Sequence, residues 1–325
     1  MENLLKSGYI CNPQQAYTLR KVTVSDGKAK GTTVIEVCTA AGLQVDILPD
    51  AGLDIGQVRF KGMNMCYISK NGFDSPATAL PINGEFGKFF PGGMLYTCGL
   101  RSAGGGNQDG NEFHPTHGRY HCLLADQLGA YVEDDTIIVR GIIRETALFG
   151  HVLQLERIIR IPIFGSTITV SDRISNQTCK DEEYALLYHC NFGYPLISEK
   201  AHLELPEERK TSPRTPSAAT GMGRECTFDA PVPGQDVQEF FHENMEHWAT
   251  LVNESIGVKM QITWSESLPI LAHWRSMTSG DYVCGLEPAN CYIMGRSKER
   301  ENGTLPVLKA FESVNTEVCF QFESI

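Results

Sequence analysis

No stretch of the 325 residues approaches the roughly 20 apolar residues needed to cross a bilayer. The opening Met1-Glu2-Asn3-Leu4-Leu5-Lys6-Ser7 lacks the basic start and apolar run of an export signal. The 11 cysteines are odd in number and never spaced Cys-x-x-Cys. Neither a disulfide frame nor a structural zinc site is therefore expected, and the cysteines read as small buried hydrophobes of a reduced, cytoplasmic protein. Positive charge is scarce: 28 Lys and Arg face 39 Asp and Glu, for a net charge of −11. That excludes the clustered basic surface nucleic acid requires and disfavours anionic membranes. No Gly-x-Ser-x-Gly elbow occurs, and Gly104-Gly105-Gly106 neither follows a strand nor opens a helix, so a nucleotide-phosphate loop has little support. No repeat of 20 to 50 residues points to a solenoid or propeller.

What the chain does have is short β-type runs divided by turn residues. Residues 30–38 and 43–48 are joined through Ala40-Ala41-Gly42, and the texture returns at 136–144, 154–161, 166–174 and 258–264. Period-2 alternation of Val, Ile and Thr between Gly, Asn and Asp favours strands. Strands about ten residues apart predict an all-β fold, a large antiparallel sandwich with few short helices, built as one domain over 1–325. A hydrophobic content of 42% suffices for its core. The stretch from Gln235 to His247 is expected to hold a helical turn or two. Two long loops stand out. One runs from Asn71 to Asn111 and is rich in Gly, Pro and Asn; the other, from Glu207 to Gly223, reads as a polar, mobile excursion.

Several residues are suited to chemistry. Glu287, in Gly285-Leu286-Glu287-Pro288-Ala289-Asn290-Cys291, follows the short apolar strand Asp281-Tyr282-Val283-Cys284, which places a carboxylate at a strand–loop junction. His189, in Leu187-Tyr188-His189-Cys190-Asn191, brings the side chain best matched to proton exchange near neutrality, although a lone histidine on an apolar strand is more often a satisfied core residue than a catalyst. His114, His117 and His121 arrive as His-x-x-His-x-x-x-His, but Pro115 and Gly118 favour a loop, where that spacing fixes no metal geometry. Among them His117, beside Arg119, is the best substrate contact. Arg101 suits a substrate hydroxyl or a structural acid, and Trp274 a sugar-stacking wall or the core.

In order and context these segments resemble the aldose 1-epimerase (galactose mutarotase) superfamily, most closely a divergent and largely uncharacterised branch. Leu48-Pro49-Asp50-Ala51-Gly52 with Phe60-Lys61-Gly62 is similar to its opening strand pair. Arg101 followed by His117-Gly118 resembles its substrate-binding pair, Tyr188-His189-Cys190-Asn191-Phe192 its catalytic histidine strand, and Gly285-Leu286-Glu287-Pro288 its late glutamate strand. The resemblance implies a β-supersandwich and anomer interconversion of a neutral monosaccharide without a cofactor. Glu287 would take the proton of the C1 hydroxyl and His189 would protonate the ring oxygen, acid and base lying on opposite sides of the sugar. His117, Arg101, His114, Arg119 and Trp274 would hold the substrate, with Asp229 in the place of a family aspartate. The implied partner is a small carbohydrate, with no nucleic acid or membrane and with a homodimer as the assembly to test. Two other readings stay open: a metal-dependent sugar isomerase or lyase using His114, His117 and His121, and a non-catalytic carbohydrate-binding protein.

Overall fold

In Val258–Trp264, Val258, Met260, Ile262 and Trp264 are buried while the residues between them are half-buried, and the same alternation builds most of the molecule. The computed structural model describes residues 1–75 and 85–325. An eight-stranded antiparallel sheet runs, in spatial order, His202–Glu204, Trp248–Asn253, Val258–Trp264, Ser313–Ser324, Thr167–Asn176, Val152–Pro162, Thr136–Thr146 and Asp126–Glu133. A six-stranded antiparallel sheet runs Lys210–Pro213, Gln238–Glu243, Ile270–Thr278, Asp281–Ala289, Ala185–Phe192 and Tyr96–Leu100. Five further strands between Thr18 and Asn64 form an N-terminal sheet. Backbone bridges Ile55–Leu95 and Cys66–Phe192 join this sheet to the six-stranded one. The fold is the expected antiparallel sandwich.

The main core includes Ile168, Val170, Val318, Phe320 and Phe322 of the large sheet together with Leu186, Tyr188, Cys190, Phe192 and Leu286 of the six-stranded one. Buried among these sheets lies Arg157, on Val152–Pro162. Its Nη1 donates to Asp54 (2.6 Å) and its Nη2 to Asp172 (2.7 Å) and to the Thr97 hydroxyl (2.9 Å). Tyr188 donates to the same Asp172 carboxylate (2.7 Å). One guanidinium thus ties all three sheets together, and its charge is matched inside the core.

Four expectations need correction. Gln235 to His247 holds a strand, Gln238–Glu243, in which Phe240, Phe241 and His242 are buried in succession, so lateral pairing outweighs the helical reading. The Asn71–Asn111 stretch is not all loop: Tyr96–Leu100, every residue buried, forms an edge of the six-stranded sheet, while residues 76–84 lie outside the described residues. Glu207 to Gly223 supplies the opposite edge strand and a short helix, Pro216–Thr220, capped by Thr215. Glu287 lies inside the strand Asp281–Ala289, not at its end, because pairing on both sides carries that strand past Pro288.

Candidate functional site

Alternation along the six-stranded sheet decides what faces the site. Leu186, Tyr188 and Cys190 point into the main core, so Ala185, Leu187 and His189 point to the opposite face. By the same rule Leu286 faces the core while Gly285, Glu287 and Ala289 face away from it. The register that pairs Cys190 with Leu286 and Leu187 with Ala289 brings His189 opposite Glu287. Tyr96 stands across from His189 on its other side, and Ala272 across from Glu287. Gly285 has a local reason: a Cβ there would lie 2.5 Å from Glu287 Oε1 and 3.2 Å from the Trp274 ring. The glycine makes room for the carboxylate to lie back along its own strand.

His189 and Glu287 close the bottom of a cleft of about 580 Å³. They are 5% and 1% exposed, and His189 Nδ1 lies 3.2 Å from Glu287 Oε1. The contact is close but poorly aligned, and neither atom has a hydrogen-bond partner. Buried polar atoms left unpaired are costly, and when such atoms line a cleft they mark where a ligand's polar groups fit. Burial raises the Glu287 carboxyl well above the usual carboxylate range, the Glu239 carboxylate adding to this and the Arg214 guanidinium opposing it. Burial also drops the His189 imidazole well below its ordinary value, helped by His117. Burial thus disfavours the charged form of each group.

Rings wall this floor: Phe90, His117 and Trp274 stand 5.1, 5.4 and 5.5 Å from the His189 ring. His117 sits in left-handed backbone (φ 61°), its N–H donating to Gly104 O (2.7 Å) and its carbonyl accepting from Gly99 (3.1 Å). Gly118 follows at φ 76°, and a Cβ there would come within 2.4 Å of two backbone oxygens, so the His-Gly pair is a packing requirement. Burial and Arg214 hold the His117 imidazole down at about 4. On the opposite wall the Arg214 Nη1 pairs with Glu239 and its Nη2 donates to Ile293 O (3.0 Å). At the rim Lys70 pairs with Asp281 (2.6 Å).

Of the residues expected from sequence, the cleft gathers Glu287, His189, His117 and Trp274. The others lie elsewhere. Arg101 pairs with Glu182 and Glu112 and lines a separate recess of about 470 Å³, so it serves the structural acid and not a sugar in this cleft. His114 is buried beside Glu112 (3.6 Å), and Arg119 donates to Phe113 O (2.8 Å). Asp229 accepts from Arg224 (2.9 Å) away from the cleft. His121 reaches Asp54 (2.8 Å) and stacks on Tyr96 (3.9 Å). The three histidines of the His-x-x-His-x-x-x-His string thus part company, and among the described residues no cluster of His, Cys, Asp or Glu is arranged to hold a metal. His189 and Glu287 lie side by side on adjacent strands, their nearest atoms 3.2 Å apart.

Sequence reasoning missed Arg214, Glu239, Phe90 and Lys70. Glu239 had a signal: read with period 2, Gln238–Glu243 puts Glu239 and Phe241 on one face. Arg214 had none, since only the pairing of Lys210–Pro213 with Gln238–Glu243 carries it to the cleft.

Residues 29–322 match the family described as a domain of unknown function, DUF4432. The chain belongs to the DUF4432 family. No curated protein sequence matches it. A protein of Klebsiella pneumoniae subsp. pneumoniae, provisionally assigned as an aldose 1-epimerase, superposes with a TM-score of 0.87 at 20% identity, over 94% of this chain and 83% of its own. A galactose mutarotase-like protein from Clostridium acetobutylicum gives 0.68 at 13% identity, over 96% and 100%. The galactose 1-epimerase of Lactobacillus acidophilus gives 0.64 at 14%, over 95% and 99%. This DUF4432 chain therefore has the galactose mutarotase-like fold, as the residues suggested.

Proposed function

We propose that this DUF4432 protein interconverts the anomers of a neutral monosaccharide by general acid-base catalysis. The observation that carries this reading is the buried, unpaired contact between His189 and Glu287 at the floor of the cleft. In the neutral resting pair the single proton sits on Glu287. Shifting it to His189 across 3.2 Å leaves a carboxylate to take the C1-hydroxyl proton and an imidazolium to protonate the ring oxygen. The ring opens, C1–C2 turns, and closure on the other face reverses both transfers. Two protons move and no electrons do, so the step draws on no cofactor. Phe90 and Trp274 suit the C–H face of a pyranose. Neutrality of the substrate follows from charge: the cleft cations Lys70 and Arg214 each already face a carboxylate.

Anomer-exchange NMR over a panel of unmodified aldoses and ketoses tests the proposal. Enhanced exchange is expected for one sugar class, falling on the order of 10²–10⁴-fold in Glu287→Gln and in His189→Asn. No enhancement for any sugar, or full activity in both variants, would overturn it. Sugar binding without exchange, surviving Glu287→Gln, would identify a carbohydrate-binding protein instead.

A further inference from the structure

Arg214 follows the outermost strand of the six-stranded sheet, yet its guanidinium reaches the floor of the cleft. Its backbone N–H donates to Glu239 O (2.7 Å), which fixes where the side chain starts. From there the guanidinium passes over the Phe241 ring (6.0 Å) to pair with the Glu239 carboxylate and to donate to Ile293 O (3.0 Å). The two side chains of the pair are 23% and 26% exposed, so solvent screens their charges from one side only. Small residues open the space beyond. One lateral row of the sheet runs Phe241, Ala272, Glu287, and the next runs Glu239, Trp274, Gly285. The Ala272 methyl leaves a recess of about 10 Å³, room for one water, lined by Arg214, Glu239, Trp274 and Glu287. The ion pair and the Glu287 carboxyl thus share one small space.

Arg214 and Glu239 are the charges that Glu287 meets there. His189 and Cys190 flank it from Ala185–Phe192, with Tyr96 and Cys98 on the strand beyond, and His117 stands over the floor. His273 and Cys284 complete the neighbourhood on Ile270–Thr278 and on Glu287's own strand. Burial disfavours the charged form of each of these groups. Arg275 points to the other face of the sheet from Trp274, where it donates to Arg224 O (2.8 Å). Lys70 and Asp281 pair at the far end of the cleft, six residues along the strand from Glu287 and so roughly 20 Å away. Of the two charges that remain, the Glu239 carboxylate favours a proton on Glu287 and the Arg214 guanidinium disfavours it.

We propose that the Arg214–Glu239 pair sets how tightly Glu287 holds its proton, so that both are positioning residues for the proton that Glu287 and His189 exchange. Paired, the two charges largely cancel at Glu287. Removing either one leaves the other uncompensated beside a buried carboxyl, so the two losses act with opposite signs. A pair that served only to fasten the edge strand would give the same change whichever partner was removed. The consequence for rate rests on the anomer-exchange reading; the consequence for Glu287 itself does not.

The test is a pH titration of Glu287 in the full chain by carbon-13 NMR of labelled glutamate carboxyls, the resonance assigned by its loss in Glu287→Gln. Relative to wild type, Glu239→Gln should titrate lower and Arg214→Met higher, each by on the order of one pH unit. Arg214→Lys, which keeps the charge, should return toward wild type. Where the wild type exchanges anomers, the alkaline limb of kcat/KM should move in the same direction as the titration in each variant. Glu239→Gln brings the titration toward neutrality and so reads out well within the stable range of the fold. A Glu287 titration unmoved in Glu239→Gln, or moved the same way in Glu239→Gln and Arg214→Met, overturns the inference. A wild type that exchanges no sugar overturns the anomer-exchange reading instead, and the titration alone then decides the role of the pair.

Discussion

At the bottom of the cleft, burial acts in opposite directions on the imidazole of His189 and the carboxyl of Glu287, disfavouring the charged form of each. The pair therefore holds one proton over a wide range, from the acidity that charges the imidazole to the alkalinity that strips the carboxyl. The two limbs belong to the pair and not to either residue alone. kcat/KM for anomer exchange should be flat through neutrality. It should fall on the acid side only below the ordinary histidine range, and on the alkaline side only above the ordinary carboxylate range. A rate rising with pH through about 6.5, as for a free imidazole, would show that the pair does not share a proton. Gly285 gives a second prediction at this scale. In Gly285→Ala the new Cβ displaces the Glu287 carboxyl, the flexible end of a side chain, so the fold should hold. A misplacement near 1 Å costs on the order of 10²-fold in rate. kcat should drop by about that factor with unchanged circular dichroism; an unaffected kcat would mean the carboxyl position is not critical.

Among elements, legibility followed alternation. The strands at Leu43–Leu48 and Val258–Trp264 coincide with their expected bounds, and those at Thr136–Thr146, Val152–Pro162 and Thr167–Asn176 differ by a few residues, because one buried face imposes period 2. Gln238–Glu243 was misread because an edge-near strand with a Phe-Phe core step shows no clean alternation in hydropathy. His189, Glu287, His117 and Trp274 were readable since each lies in a distinctive local string. Arg101 was not, because its partner lies far off in sequence: Glu182 is 81 residues away. The joint between sheets was equally invisible, and it carries the element-scale prediction. Arg157→Met leaves Asp54 and Asp172 buried without their cation, and breaking a buried pair in this way costs roughly 3–5 kcal/mol. The urea midpoint should fall accordingly. An unchanged midpoint would mean that neighbouring hydroxyls and water carry those carboxylates.

For the molecule as a whole, stability at low pH is governed by histidines that fold only as neutral rings. His189, His242 and His273 are all buried on the six-stranded sheet, linked in part by His242 Nε2 and His273 Nδ1 at 3.2 Å. Burial lowers all three, His242 to about 4 and the others well below the ordinary value. Unfolded, each takes its proton near 6.5; folded, His242 resists until about 4, and His189 and His273 are likewise held well below the ordinary value. Between those values the unfolded chain binds more protons, so the stability these groups contribute is complete above about 6.5 and is lost as pH falls through the folded value. Each such proton is worth about 1.4 kcal/mol per pH unit. Glu145 acts in the contrary sense. Buried and raised to about 7 although Leu100 N–H donates to it (2.7 Å), it favours folding below the unfolded carboxyl value and loses that contribution as pH rises toward 7. With His114, His117 and His151 also lowered to about 4, the lowered histidines outnumber the carboxyls that burial raises, Asp46, Glu145, Glu287 and Glu299, so the unfolding midpoint in urea should drop from pH 6.5 to 4.5. Replacing Glu145 by Gln should flatten the opposing trend and make the acid loss steeper still. A midpoint constant over that interval would mean the buried imidazoles are protonated in the fold and find partners there.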